Sequence, residues 1–185
     1  MKNKYLLRIL YFVILLSSKS LPQESLSIGT YLGGGVISGN TASKGSFSSS
    51  LFVEVDPGFF KDLSARLSFL FNTDFNSILP NTIKRYFPFL KGFGLKAITS
   101  QSIEPNLFVE EGLGLIALND RTISGTNEWD YGINFSIAGG FDLRNLKNKG
   151  FKISAGTEYG LTFFNTLPSY FSVHLQVQYI FKIGY

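Results

Sequence analysis

The closing stretch Ser172-Val173-His174-Leu175-Gln176-Val177-Gln178-Tyr179-Ile180-Phe181-Lys182-Ile183-Gly184-Tyr185 decides the fold. Val173, Leu175, Val177, Tyr179, Phe181, Ile183 and Tyr185 are apolar or aromatic, and His174, Gln176, Gln178, Ile180, Lys182 and Gly184 lie between them. Successive side chains of a strand point to opposite faces, so this period of two makes one bulky face and one mostly small or polar face. The alternation recurs upstream. Residues 130–143 set Tyr131, Ile133, Phe135, Ile137, Phe141 and Leu143 against Asp130, Gly132, Asn134, Ser136, Ala138, Gly140 and Asp142. Residues 151–163 set Phe151, Ile153, Ala155, Tyr159, Leu161 and Phe163 against Lys152, Ser154, Gly156, Glu158, Gly160 and Thr162. Residues 63–72 set Leu63, Ala65, Leu67, Phe69 and Phe71 against Ser64, Arg66, Ser68 and Asn72. Weaker versions lie near 25–36, 46–56, 83–98 and 107–118. No sustained apolar stripe at helical spacing follows residue 21. The pattern predicts eight strands of about 10–15 residues, longer than the usual five or six.

The two faces set the orientation. Eight strands closed into a barrel leave room for little more than side chains. The bulky set is too large for that interior, whereas the small and polar set fits it. The bulky face therefore points outward to lipid, which predicts an all-β, antiparallel up-and-down transmembrane β-barrel. Closure also pairs every backbone group between strands, as lipid requires. With the N-terminus in the periplasm, the outer loops fall near 37–45, 73–82, 119–129 and 164–170. The inner turns fall at Asp56-Pro57-Gly58, Thr99 to Asn106 and Arg144 to Lys149. Trp129, Tyr131 and Phe163 would form the aromatic girdle of the outer rim, and Phe141, Phe151, Phe181 and Tyr185 that of the inner rim.

The start of the chain differs in kind. Lys2, Lys4 and Arg8 precede the apolar run Leu6 to Leu16, and Ser18-Lys19-Ser20 offers a cleavage site after Ser20. These are the parts of a secretory signal peptide over 1–20, leaving 21–185 as the barrel; an uncleaved N-terminal anchor is the alternative. The whole chain of 185 residues carries 17 Lys plus Arg against 13 Asp plus Glu. Four of those bases (Lys2, Lys4, Arg8, Lys19) and no acid lie in the leader, so the mature chain is neutral at 13 against 13. Neutrality counts against a nucleic-acid binder, which needs several phosphate contacts. With no Cys and one His, thiolate and multi-histidine metal sites are excluded, and no motif points to a cofactor.

Two local stretches carry a family resemblance. Phe93-Gly94-Leu95-Lys96, followed by Pro105-Asn106-Leu107-Phe108-Val109-Glu110-Glu111-Gly112-Leu113-Gly114-Leu115, resembles the "GLKYY … PYVGAGLGY" run of small eight-stranded outer-membrane barrels of the OmpA/OmpX/OmpW-like group. The ending resembles their C-terminal assembly signal, with Gln178, Phe181, Ile183 and Tyr185 in the matching places and Ile180 where that signal has Gly. The resemblance implies the outer membrane of a Gram-negative-type bacterium. It implies outer-membrane lipid, lipopolysaccharide and the assembly machinery as partners.

Within the barrel, Glu54, Arg66, Lys96, Glu110, Asp130, Asp142, Lys152, Glu158 and Lys182 fall on the polar face. Buried charges are costly unless paired, so they predict an ion-paired network filling the lumen; a narrow conducting path is the alternative. A turn centred on residues 58–60 sets Glu54 opposite Arg66. Lys91 and Glu111 fall on the lipid face, where a midplane Lys costs about 2–4 kcal/mol. A turn centred on residue 101 would place them face to face as a cross-strand pair near an interface; a bulge or a contact with another chain are the other readings. Ser172 and His174 share a face, and a hairpin with Glu158 opposite His174 would assemble the residue types of a hydrolytic triad. Lipid A deacylases among such barrels have Ser two places after His, followed by Asn; Leu175-Gln176 follow here. A structural His174–Glu158 contact is the expectation, and the chain is read as no enzyme. Function then rests with the loops, where Phe75, Ile78, Leu79, Ile123 and Trp129 are contact candidates, with a pore or conduit for apolar molecules as the alternative.

Overall fold

Long alternating segments joined by turn-forming residues fold here as a meander that closes on itself. The computed structural model describes residues 25–57, 62–79, 86–145 and 149–182, with Lys182 described by its backbone alone. The expected leader and the terminal Ile183 and Tyr185 lie outside the described residues. The strands are β1 (Ser25–Ser38), β2 (Lys44–Asp56), β3 (Leu63–Asp74), β4 (Phe89–Glu104), β5 (Leu107–Arg121), β6 (Glu128–Asp142), β7 (Gly150–Thr162) and β8 (Ser169–Lys182). Each pairs antiparallel with its neighbours in sequence, and β8 pairs with β1. The expected up-and-down barrel of eight strands is borne out, and no sheet edge is left unpaired.

The period of two sorts the side chains as the sequence predicts. Leu51, Leu67, Leu115, Ile137, Leu175 and their neighbours stand exposed on the outer wall, while Ser27, Ser48, Ser50, Asn72, Gln176 and Gln178 are buried inside. Aromatic pairs run across the outer wall: Phe69 meets Phe93 at 5.3 Å, and Phe93 stacks on Trp129 at 6.1 Å.

Two features depart from the expectation. The turn placed at Thr99 to Asn106 is a hairpin whose connection is only Pro105-Asn106. The run Thr99-Ser100-Gln101-Ser102 has no apolar marker, yet its backbone goes on pairing with Phe108 to Glu111, and a register irregularity lies between Ser102 and Glu104. Leu63, the first residue of β3, is opposite Thr99, so this hairpin extends beyond the start of β3. The second departure is inside. Ile37, Leu70, Leu90, Ile116, Leu118 and Tyr170 form a buried apolar cluster on the inward face, close to the ends of the strands that carry the 39–43, 75–88, 122–127 and 163–168 connections. Leu70 and Leu118 are wholly buried. The lumen is polar in its middle, and toward this end the apolar cluster stands beside buried Ser46, Asn72 and Asp120.

Candidate functional site

The middle of the lumen is held by two ion-paired groups. The register sets Glu54 opposite Arg66, and Arg66 opposite Lys96. Arg66 Nε donates to Glu54 Oε2 at 2.6 Å, its Nη2 to Glu110 Oε2 at 3.0 Å and its Nη1 to Gln176 Oε1 at 3.2 Å. Its guanidinium also lies 4.3 Å from the Phe52 ring centre. Glu110 Oε1 accepts from Lys152 Nζ at 3.2 Å, which donates to Ser100 Oγ as well. Ser64 Oγ caps Glu54 at 2.8 Å. In the second group, Lys96 Nζ donates to Glu158 Oε2 at 2.6 Å, and Glu158 Oε1 accepts from Tyr170 Oη and Asn134 Nδ2. Three cations thus face three carboxylates, and each partner that carries charge is hydrogen-bonded. Multiple donors per carboxylate are the condition under which buried pairs hold together. Gly114 is opposite Lys96, and its missing side chain leaves room for that lysine: a Cβ there would stand 2.7 Å from Lys96 Cγ and 2.2 Å from the Leu95 carbonyl.

Not every polar-face charge joins this network. Asp130 is buried at the loop end, where it accepts from Asn165 Nδ2 at 2.8 Å and from the Thr166 amide and hydroxyl. Its place near the start of β6 makes it an anchor for the 163–168 connection rather than a lumen partner. Asp142 pairs with Arg144 at the opposite rim, two residues along the chain. The side chain of Lys182 lies outside the described residues.

Lys91 and Glu111 do not face each other. Because the β4–β5 connection is Pro105-Asn106, Lys91 is opposite Asn119 and Glu111 is opposite Thr99. The two charges sit toward opposite rims, Lys91 two residues after the start of β4 and Glu111 four residues after the start of β5, strands that run in opposite directions. The triad geometry changes too. Glu158 is opposite Ser172, and Gly156 is opposite His174, one same-face position away from the expected pairing. Ser172 Oγ lies 3.3 Å from His174 Nδ1, but Glu158 spends its oxygens on Lys96, Tyr170 and Asn134. His174 instead stacks on Tyr31, with ring centres 4.0 Å apart and planes 18° from parallel. Ser172 is fully buried. These three residues are interior packing in this arrangement.

The described girdle residues are all exposed on the outer wall: Trp129, Tyr131 and Phe163 toward the loop end, Phe141, Phe151 and Phe181 toward the other. The loops are tied down. Asp120 accepts from the Thr122 amide at 2.7 Å and from the Asn40 amide at 3.2 Å, linking two connections. Asp74 caps the short 3-10 turn Phe75–Ser77 through the Asn76 amide. Phe75 covers Gly34 and Gly45 on the outer wall, where a Cβ on Gly34 would stand 3.0 Å from its ring. Ile78, Leu79, Ile123, Phe164 and Leu167 remain exposed above the rim. Tyr170, Gln176, Asn134 and Ser64 share the inward parity of their strands; that parity is the signal that marks them, but their partners depend on the barrel's closure.

Bulky side chains outside, a hydrogen-bonded ionic filling inside and full closure define a small transmembrane β-barrel fold. No protein-family model matches the sequence, and no curated protein sequence matches it. Among solved structures, the chain is similar to Neisserial surface protein A, with a TM-score of 0.62 at 12% identity, covering 83% of this chain and 96% of that one. It is also similar to Ail, the attachment invasion locus protein of Yersinia pestis, solved in complex with the heparin analogue sucrose octasulfate; the TM-score is 0.55 at 15% identity, covering 86% of this chain and 99% of Ail. At these identities the likeness is one of fold alone.

Proposed function

We propose that the chain is an integral outer-membrane barrel whose rigid wall presents a surface-contact platform at its loop end, and that it is neither a pore nor an enzyme. What supports this reading is the filling of the lumen among the described residues: the apolar cluster around Leu70, Leu90 and Leu118 lies toward one end, and two ion-paired groups occupy the middle. Loops on a rigid scaffold are where binding usually resides. Here Asp120 and Asp130 clamp three connections to the rim and hold Ile123, Phe164 and Leu167 outward. Ail's complex with a sulfated sugar analogue supports a surface-ligand role for this type of barrel. Asp74, Asp120 and Asp130 at this end are buried and hold its own connections, so a partner would meet chiefly the apolar tips, with Glu128, Lys44 and Arg121 beside them. Outer-membrane lipid and lipopolysaccharide would meet the girdles, and the assembly machinery would read Gln178, Phe181, Ile183 and Tyr185.

The test uses the absence of Cys from the sequence. Ile123→Cys in whole cells should react with a membrane-impermeant maleimide, and Asn106→Cys should react only after the outer membrane is permeabilised. Labelling of both, or of neither, in intact cells overturns the orientation and location. Single-channel steps from purified folded protein in a planar bilayer would overturn the closed-lumen reading.

A further inference from the structure

We propose that the lipid-facing wall carries a binding site for a phospholipid with a primary-ammonium headgroup, built around Glu111. The proposal rests on the outer-membrane reading for the leaflet it addresses, though not for the chemistry. Glu111 is exposed on the outer wall, and it makes no ion pair or hydrogen bond among the described residues. It lies four residues into β5, in the half of that strand nearer the end of the barrel where β1 begins and the described β8 ends. On the outer-membrane reading this half of the wall faces the periplasmic leaflet.

The wall recedes at this point. Ala97, Thr99 and Gly112 are small, while Leu113, Phe135 and Tyr159 stand up around them, and a groove of about 510 Å³ results. A carboxylate on the lipid-facing wall is best accommodated where a cation pairs with it. The missing cation cannot be Lys91, which the register carries to the other rim. A lipid supplies one in a fixed place: the ammonium of an ethanolamine headgroup donates charge-assisted hydrogen bonds to Glu111, the Thr99 hydroxyl opposite is available to its phosphate, and an acyl chain lies along Leu113, Phe135 and Tyr159. A choline headgroup carries the charge but no N–H donor, and a glycerol headgroup carries neither. The order of preference is therefore ethanolamine, then choline, then glycerol.

Native mass spectrometry of the folded, full-length protein, released from detergent with an equimolar mixture of phosphatidylethanolamine, phosphatidylcholine and phosphatidylglycerol of identical acyl chains, reads the preference directly. Retention of phosphatidylethanolamine over phosphatidylglycerol should be roughly fivefold, the factor expected for one charge at a membrane surface. Glu111→Gln should bring the ratio near one, Glu111→Asp should keep part of it, and Ala97→Phe, which fills the groove but leaves the carboxylate, should lower retention of the ethanolamine lipid. Heat-modifiable gel mobility shows that each variant is folded. Equal retention by the wild-type chain, an unchanged ratio in Glu111→Gln, or unchanged retention in Ala97→Phe overturns the site. A dimer peak abolished by Glu111→Gln overturns it as well, in favour of a second copy. Because the measurement is made in vitro, it fails independently of the maleimide test of location.

Discussion

Removing one partner of the Lys96–Glu158 pair should cost far more than removing both. The two groups are 2.6 Å apart and each side chain is only 2% exposed. At an effective dielectric of about 20, two unit charges at that distance attract by about 6 kcal/mol, most of it offset by their desolvation. Glu158→Gln strands the ammonium of Lys96, whose carboxylate partner it removes, and should destabilise the barrel by about 3–5 kcal/mol. Lys96→Met leaves a carboxylate that keeps the Tyr170 hydroxyl and the Asn134 amide, so its cost should fall at or below the lower end of that range. The double variant carries no stranded charge and should lie within about 1–2 kcal/mol of wild type, because isosteric replacement of a whole buried pair is often close to neutral. The coupling energy is then at least about 2 kcal/mol. Urea unfolding in lipid vesicles, followed by fluorescence of the single Trp and by gel mobility, measures all four proteins. Costs that add to within about 0.5 kcal/mol would show that the two side chains do not share a desolvated lumen, and would refute the reasoning.

Other expectations follow from the same geometry. Leu115→Arg, at a mid-strand position 67% exposed on the outer wall, should cost about 2–4 kcal/mol in lipid; a change near zero would contradict a lipid-facing wall. Gly114→Ala should destabilise by about 1–3 kcal/mol in the same unfolding assay, because the added Cβ meets backbone and the Lys96 stem. Folded protein incubated with lipopolysaccharide should release no acyl chain by mass spectrometry. His174→Ala should leave that result unchanged while costing about 0.5–1.5 kcal/mol of stability through the lost Tyr31 stack.

What was legible in the sequence was parity, and what was not was register. Arg66, Lys96, Glu110, Lys152 and Glu158 face inward because alternation is a local property of an extended chain, readable from any few consecutive residues. The pairing of Glu54 with Arg66 was also within reach, since Pro57-Gly58 marks the turn between them. Lys91 and Glu111 failed because four polar residues, Thr99 to Ser102, look like a turn and are strand; the true connection lies at Pro105-Asn106, which moves the two charges toward opposite rims. The same kind of slip put Glu158 opposite His174 rather than Ser172. A shift by an even number of residues keeps every side chain on its face, so no alternation pattern reports it.

The sequence by itself determined the eight strands, their closed up-and-down order, and which face meets lipid. Tertiary structure alone decided that Arg66 reaches Glu110 and Gln176 on distant strands, that Glu158 serves Lys96 and Tyr170 rather than His174, and that Leu70, Leu90, Leu118 and Tyr170 meet in one buried cluster. The contacts of Arg66 with Glu110 and Gln176, and of Lys96 with Glu158, join strands that are not paired with each other, and they exist only once β8 has closed on β1 and fixed which inward side chains meet.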